Sequence, residues 1–247
     1  MTKVQHATRQ WLLCRRRNPD AQVRIYCFPH SGGSPGEYVR WADDLPDAEV
    51  WGVQLPGRGS RTSENAITDM HHLVQALMTQ LDFPEPFMFF GHSLGALIAF
   101  ETALRLSTEE RVTPNCPLLS AMWPPHAQVT RPEVSHLDDA DLLAFVDGKY
   151  GTVPEEIRND PDMAALMAPA YRADLQLLAA YRHQPHAPLD IPMTLFGGTE
   201  DPISGELAGW REHTRHEPHT HLFPGGHFYF RDRPRDFMTA LRHTVFC

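Results

Sequence analysis

Short apolar runs that stop at proline or glycine recur along the chain. Their apolar residues are continuous rather than alternating, which is typical of strands covered on both faces of a parallel sheet. The predicted strands cover residues 23–28, 49–55, 87–90, 117–122, 192–196 and 219–223.

Segments with helical periodicity lie between these runs. Residues 68–81 carry their apolar side chains on one stripe, which predicts an amphipathic helix. Residues 94–106 are apolar on nearly all sides, which predicts a central helix. Strands that alternate with helices indicate an α/β fold, with helices on both faces of a mostly parallel sheet.

The interval 124–190 breaks this alternation, because it shows helical patterns and no strand pattern. Asp138 is placed to cap one helix, and Asp160, which precedes Pro161, is placed to cap another. Pro169 is expected to end or kink this second helix, with a further helix after it.

We therefore predict a single domain over residues 1–247 with a helical insertion over about residues 124–190. Insertions in such sheets tend to lie at the carboxyl edge of the strands, where ligands bind. This favours a lid over the sheet. The alternative is that these helices serve only to pack the core.

Composition and charge exclude several classes of function. The 247 residues have a formal charge of −9, which argues against nucleic acid as the main partner. No run approaches the roughly 18 apolar residues of a membrane span. The N-terminal charges follow the apolar piece, the reverse of a secretory signal. The cysteines, Cys14, Cys27, Cys116 and Cys247, form no CxxC and are expected to be free thiols in the cytoplasm.

The run "FMFFGHSLGALIAF" (87–100) places Ser93 between two glycines, where a predicted strand becomes a predicted helix. The GxSxG pattern is weak alone, but the strand–turn–helix setting is the one a nucleophilic serine requires. We predict that Ser93 is a nucleophile. The alternative is a serine that only caps a buried helix.

A nucleophilic serine needs a base and an orienting acid, which follow it in the order acid, then histidine, on this type of sheet. The segment "LFGGTEDP" supplies Asp201 and "LFPGGHFYF" supplies His227, both directly after predicted strands. Glu200 is the alternative acid.

Two backbone amides are predicted to stabilise an oxyanion. One belongs to Leu94, directly after the serine, and the other to Ser31 in the glycine-rich loop "CFPHSGGSPGEYVRW" (27–41). The alternative for this loop is a purely structural use of its glycines.

The segment "HTRHEPHTH" contains four closely spaced histidines: His213, His216, His219 and His221. Neither a cysteine nor an HExxH helix accompanies them, so we interpret them as a solvated edge and predict no metal site.

Taken together, five motifs resemble those of the type II thioesterases, the free-standing editing enzymes of polyketide and nonribosomal peptide assembly lines. In chain order they are "FPHSGGS", "LPGRGSR", "GHSLGA", "GGTEDP" and "GGHFYF". The resemblance runs from about residue 23 to the C-terminus. It differs at Ser31 and Leu94, where family members often have Ala and Met, and a backbone donor tolerates both changes.

The resemblance implies an α/β-hydrolase fold with a helical lid and a triad of Ser93, Asp201 and His227. It also implies that the second oxyanion donor is the residue after His30. The family hydrolyses acyl thioesters on the phosphopantetheine arm of acyl or peptidyl carrier proteins, so no cofactor of its own is expected.

This expected function leaves three alternatives open: a cytosolic carboxylesterase with the same triad, a non-catalytic binder on this scaffold, or a chain-terminating acyl transfer or cyclisation. We expect a monomer. His30, Arg58 and Arg61 are candidates for contact with substrate or carrier. The alternative for Arg58 is an ion pair that holds its own loop.

Overall fold

A twisted sheet forms the centre of the computed structural model, which describes residues 10–127, 134–151, 153 and 160–246. Seven strands follow the order β1-β3-β2-β4-β5-β6-β7. Strand β1 pairs antiparallel with β3, and all other neighbours are parallel. The strands are β1 (Leu12–Cys14), β2 (Val23–Phe28), β3 (Ala48–Val53), β4 (Phe87–His92), β5 (Pro117–Ser120), β6 (Thr194–Gly198) and β7 (His219–Phe223).

All six predicted strands are present, and the predicted α/β-hydrolase class is confirmed. Strand β1 was not predicted, because it has only three residues and its central Leu13 is exposed. The helices are α1 (Met70–Gln80), α2 (Leu94–Thr108), α3 (Asp139–Tyr150), α4 (Pro161–Ala180), α5 (Tyr229–Asp232) and α6 (Pro234–Phe246). No described helix is long and apolar enough to cross a membrane.

Both faces of the sheet are covered, which explains the continuous apolar runs. Along β4, Phe87 and Phe89 join the core on the side of α1 and α2, whereas Met88 and Phe90 join the core on the side of α6. Successive side chains of a strand point to opposite faces, so a strand buried on both sides is apolar at every position.

Helices α3 and α4 lie between β5 and β6 in the chain, within the predicted insertion, and share a hydrophobic cluster of their own. Asp138 accepts a hydrogen bond from the Asp141 N–H, and Asp160 accepts from the first turn of α4, as predicted. Residues 128–133, 152 and 154–159 of the predicted insertion lie outside the described residues.

The predicted end of this helix at Pro169, with a further helix after it, is wrong, whereas the alternative of a kink stays a prediction. Helix α4 continues through Pro169 as one helix of 20 residues. Proline removes one backbone donor from a helix, a cost that tertiary packing can offset. Ala168 and Ala170, on either side of Pro169, are both buried.

Candidate active site

The backbone at Ser93 adopts a strained conformation between β4 and α2. Its φ and ψ are 54° and −124°, a region that a non-glycine residue rarely occupies. A Cβ on Gly91 would lie 2.1 Å from the Gly95 carbonyl oxygen, and one on Gly95 would lie 2.0 Å from the Phe28 carbonyl oxygen. The two glycines therefore allow the strand and the helix to approach closely, and the turn presents Ser93 at the sheet edge.

Asp201 and His227 lie in the loops that follow the paired strands β6 and β7. The His227 Nδ1–H donates to Asp201 Oδ2 over 2.7 Å, and the two side chains are only 5% and 4% exposed. Asp201 Oδ1 accepts a second hydrogen bond from the Ile203 N–H at 3.1 Å, which fixes the carboxylate. Glu200, the alternative acid, is exposed. The structure thus brings Asp201, rather than Glu200, to His227.

The Nδ1–H bond to Asp201 leaves the Nε2 lone pair of His227 available as a base. The His227 ring packs against the rings of Tyr150 and His92, with centroid distances of 4.8 and 4.9 Å. Burial, assisted by the charge of Asp201, raises the pKa of Tyr150 to about 12, so its hydroxyl stays neutral.

His92 precedes Ser93 in the chain, and its ring packs against His227. Its Nδ1 lies 2.8 Å from Ser120 Oγ, which lies 2.6 Å from the Tyr229 hydroxyl. Burial lowers the pKa of His92 well below its usual value, so a neutral ring packs under His227. Neither His92 nor Tyr150 was among the residues predicted from the sequence. The position of His92 inside the GxSxG motif was an available signal, whereas nothing in the sequence singled out Tyr150.

The predicted oxyanion donors belong to the loop after β2 and to the first turn of α2, and their role stays a prediction. Ser31 borders the same cavity as Ser93 and His227. Leu94 is the first residue of α2, where helix amides lack intrahelical partners. Gly32, with φ of +69°, turns the loop so that its N–H donates to Asp174 Oδ2 on α4 at 2.8 Å.

Arg58 is buried and forms a two-point ion pair with Asp174 of α4. Its Nη1 and Nη2 lie 2.5 and 2.6 Å from the two carboxylate oxygens, and the side chains are 6% and 2% exposed. This matches the alternative in which Arg58 pairs with a carboxylate. However, the carboxylate belongs to the insertion rather than to the loop of Arg58.

Arg61 is buried as well. It donates to Glu64 and to the Gln54 carbonyl oxygen, and its guanidinium lies 4.0 Å from the centre of the Trp11 ring. An exposed docking patch of Arg58 and Arg61 is therefore contradicted, because both guanidinium groups already bind partners inside the protein.

His30 lies in the wall of the cavity, with Nδ1 2.8 Å from the Tyr38 hydroxyl. Burial lowers the pKa of His30 well below its usual value, so the ring is neutral. A contact between His30 and the substrate stays a prediction. A contact with a carrier protein is not expected, because the His30 side chain is buried.

The cavity at Ser93 is narrow, with a volume of about 30 Å³, enough for one or two water molecules. The insertion contributes five lining residues: Val146, Tyr150, Tyr171, Leu175 and Leu178. A larger groove of about 420 Å³ lies between α1, α2 and the end of α4, and none of the predicted site residues lines it.

The four histidines of "HTRHEPHTH" do not form one cluster. His216 bonds Asp190 at 2.9 Å, and the His219 and His221 rings contact each other. The interpretation of a solvated edge is wrong for His213, which is buried beside histidines from other segments: His126, His183 and His186.

Comparison with known proteins identifies the family. Residues 23–244 match the Thioesterase family, described as a thioesterase domain. The thioesterase PikA5 of Streptomyces venezuelae is 34% identical, over 90% of this chain and 81% of PikA5. The gramicidin S biosynthesis protein GrsT of Aneurinibacillus migulanus is 30% identical, over 89% of this chain and 88% of GrsT.

A solved structure has the same architecture. BorB, the type II thioesterase from the borrelidin biosynthetic cluster, superimposes with a TM-score of 0.82. It is 31% identical, and the match covers 94% of this chain and 96% of BorB. The chain belongs to the thioesterase family.

Proposed function

We propose that this thioesterase hydrolyses acyl groups held as thioesters on the phosphopantetheine arm of acyl or peptidyl carrier proteins. Ser93 is the nucleophile, His227 the general base and Asp201 the orienting acid. One observation carries the proposal: the buried His227–Asp201 hydrogen bond lies beside a cavity that the strained Ser93 also borders.

In the first half-reaction, Ser93 Oγ attacks the thioester carbonyl carbon while its proton moves to His227 Nε2. The carbon–sulfur bond of the tetrahedral intermediate then breaks, and the phosphopantetheine sulfur leaves with the proton from His227. A thiol pKa near 8.5 makes this sulfur a better leaving group than an alkoxide. The acyl group remains as an ester of Ser93.

In the second half-reaction, His227 Nε2 removes a proton from water, and the water oxygen attacks the ester carbonyl carbon. Collapse of this intermediate returns the proton to Ser93 Oγ and releases the carboxylic acid. Asp201 stabilises the imidazolium that forms in both halves. The N–H groups of Ser31 and Leu94 would stabilise the oxyanion in both halves, a contribution of about 3 kcal/mol per donor in comparable enzymes.

The acyl chain needs more room than the cavity of about 30 Å³ provides. Val146, Leu175 and Leu178 of the insertion must therefore move or repack to admit it. A wall of flexible apolar side chains discriminates weakly between acyl groups. This suits an enzyme that clears varied, stalled acyl chains from synthases.

We further propose that the carrier protein is the macromolecular partner, and that the enzyme acts as a monomer in the cytoplasm without a cofactor of its own. GrsT and BorB belong by name to the gramicidin S and borrelidin pathways, which supports a partner of the assembly-line class. The free thiols Cys14, Cys27 and Cys116 support a reducing compartment.

Intact-mass analysis of acyl-loaded carrier proteins, before and after incubation with the enzyme, tests this function. The expected result is loss of the acyl mass with retention of the phosphopantetheine arm. A Ser93→Ala variant gives the matched control. Unchanged carrier masses across a panel of acyl groups would contradict the proposal and would favour a non-catalytic binder.

Rates on a thioester and an oxygen ester of the same acyl group separate the thioesterase from a carboxylesterase. We expect the thioester to be hydrolysed faster, because its leaving group needs less help from His227. A faster rate on the oxygen ester would support the carboxylesterase.

A further inference from the structure

A cluster of histidines lies where the predicted insertion rejoins the sheet, and it plays no part in the proposed reaction. His183 and His186 follow α4, whereas His213 ends the 3₁₀ helix Pro202–His213 that follows β6. Each of the three offers a ring nitrogen, and these nitrogens lie within 4.8 Å of one another.

The hydrogen bonds around the cluster indicate which nitrogens carry lone pairs. His186 Nδ1–H donates to the Ala187 carbonyl oxygen at 2.8 Å, which leaves Nε2 as its lone-pair atom. This Nε2 lies 3.2 Å from His213 Nδ1. Two histidine nitrogens on one tetrahedral zinc ion are about 3.3 Å apart, given zinc–nitrogen bonds near 2.0–2.1 Å.

The second ring nitrogen of His213, Nε2, has a hydrogen-bond partner of its own. This atom lies 2.7 Å from His126 Nδ1, and His126 Nε2 lies 3.7 Å from a Glu212 carboxylate oxygen. Metal-bound histidines usually donate their second ring N–H to a carbonyl, a carboxylate or another acceptor. His186 has such an acceptor in Ala187, and His213 has one in His126.

A chain of hydrogen bonds between histidines would explain part of this cluster without a metal. It leaves His183 unexplained, because within the described part of the chain its buried Nδ1 has no hydrogen-bond partner. A buried polar atom without a partner is costly and calls for a water or an ion.

We propose that His183, His186 and His213 bind one divalent metal ion of the zinc type. His186 Nε2, His213 Nδ1 and a ring nitrogen of His183 are the protein ligands, and water takes the fourth position. Imidazole ligands favour Zn²⁺, and also bind Co²⁺ and Ni²⁺. The ion would tie the segment after α4 to the end of the helix Pro202–His213, and so anchor the insertion where it returns to the sheet.

The test uses tag-free, full-length protein freed of metal with a chelator. Calorimetric titration with ZnCl₂ is expected to show one site, and Co²⁺ is expected to give the visible absorption of a tetrahedral ion. His183→Ala and His186→Ala are each expected to weaken Zn²⁺ binding at least about tenfold, as removal of even an outer partner does.

The matched control is His71→Ala. His71 belongs to a second, fully exposed group with Asp69 and His72 whose side-chain atoms are similarly close. This variant is expected to bind Zn²⁺ as the unmodified chain does. Zn²⁺ should also raise the melting temperature of the unmodified chain and of His71→Ala, but not of His183→Ala.

Absence of stoichiometric binding, or equal affinity in His183→Ala and the unmodified chain, would overturn the proposal. So would an octahedral Co²⁺ spectrum, which requires no variant to interpret. Chelation is expected to leave thioester turnover at low temperature unchanged while lowering the temperature of inactivation, because no proposed step of the reaction uses the ion.

Discussion

The turn that holds Ser93 and the ion pair between Arg58 and Asp174 are built in different ways. The turn is one short stretch of sequence, residues 91–95, and its two glycines lie against backbone atoms of α2 and of the end of β2. The ion pair joins residues 116 positions apart through two side chains, and it attaches α4 to a loop of the sheet.

This difference separates two parts of the site. The turn at Ser93 is the fixed part, and the side chains of α3 and α4 that line the cavity, together with the Arg58–Asp174 ion pair, are the adjustable part. At the Ser93 turn, even one added carbon on Gly91 or Gly95 would clash with backbone atoms, so the turn has little room to move. Helix α4 is held at Asp174 by side chains, and side chains of α3 and α4 line the cavity beside Ser93. If an acyl group enters, we therefore expect it to displace this wall rather than the turn at Ser93.

Replacing Ser93, the proposed nucleophile, should have the largest effect. Ser93→Ala is expected to reduce thioester turnover at least about a thousandfold with the fold intact, because only binding and the oxyanion donors would remain. The rate of hydrolysis and the circular dichroism spectrum measure the two effects.

Ser31→Ala is the matched control for this variant, in the same cavity. It should keep turnover within a few-fold, since the proposed donor at this position is the backbone N–H. A variant Ser93→Ala that retains a tenth of the original rate would show that Ser93 is not the nucleophile.

The next largest effect is expected when the hydrogen bond from His227 to Asp201 is changed. Asp201→Asn is expected to lower turnover of an oxygen ester about a hundredfold to a thousandfold, because the amide favours the wrong tautomer of His227. The loss on a thioester should be smaller, since a thiolate needs less proton donation. Rates on the two substrates give the measurement.

Glu200→Gln provides the comparison, because it makes the same chemical change at the neighbouring, exposed position. It is expected to be neutral on both substrates. If instead it lowers the oxygen-ester rate as much as Asp201→Asn does, the assignment of the acid is wrong.

The fixed part of the site could be predicted from sequence, because short local motifs identify its residues. A strand followed by GxSxG, and two glycine-rich loops after later strands, define Ser93, Asp201 and His227 by chain order. The proximity of Asp201 to His227 in the structure agrees with this order. Their catalytic roles stay predictions.

The adjustable part could not be predicted from local motifs, because its contacts join residues that are far apart in sequence. Asp174 is one acidic residue within a helical stretch, and nothing local identifies Arg58 as its partner. Loop arginines are usually exposed, so burial of Arg58 and Arg61 was not expected. Pro169 is a further case in which local sequence misleads. Proline alone disfavours a helix interior, but packing around α4 outweighs this local preference.

An intermediate effect is expected at the attachment of α4. Asp174→Asn leaves Arg58 buried without its counter-charge, which should lower the free energy of unfolding by about 3–5 kcal/mol. Turnover should fall about tenfold, because the Gly32 N–H loses its charged acceptor and the adjoining Ser31 N–H loses its alignment. Urea unfolding and steady-state kinetics measure the two quantities.

A double variant separates stability from alignment. Asp174→Leu combined with Arg58→Leu removes both charges, so much of the lost stability should return. The acceptor for Gly32 stays absent, so kcat should stay low. Recovery of kcat together with stability would show that Asp174 supports the fold alone and does not align the oxyanion loop.

The smallest effect is expected at Arg61, and it decides whether this loop touches the carrier protein. Arg61→Gln removes the contacts with Glu64 and with the Trp11 ring, which should lower the free energy of unfolding by about 1–2 kcal/mol. Because the side chain is buried, any loss of rate should be equal for an acyl group on its carrier protein and on N-acetylcysteamine. A loss confined to the carrier-bound substrate would mean that Arg61 becomes exposed when the carrier docks, and that the loop is adjustable as the insertion is.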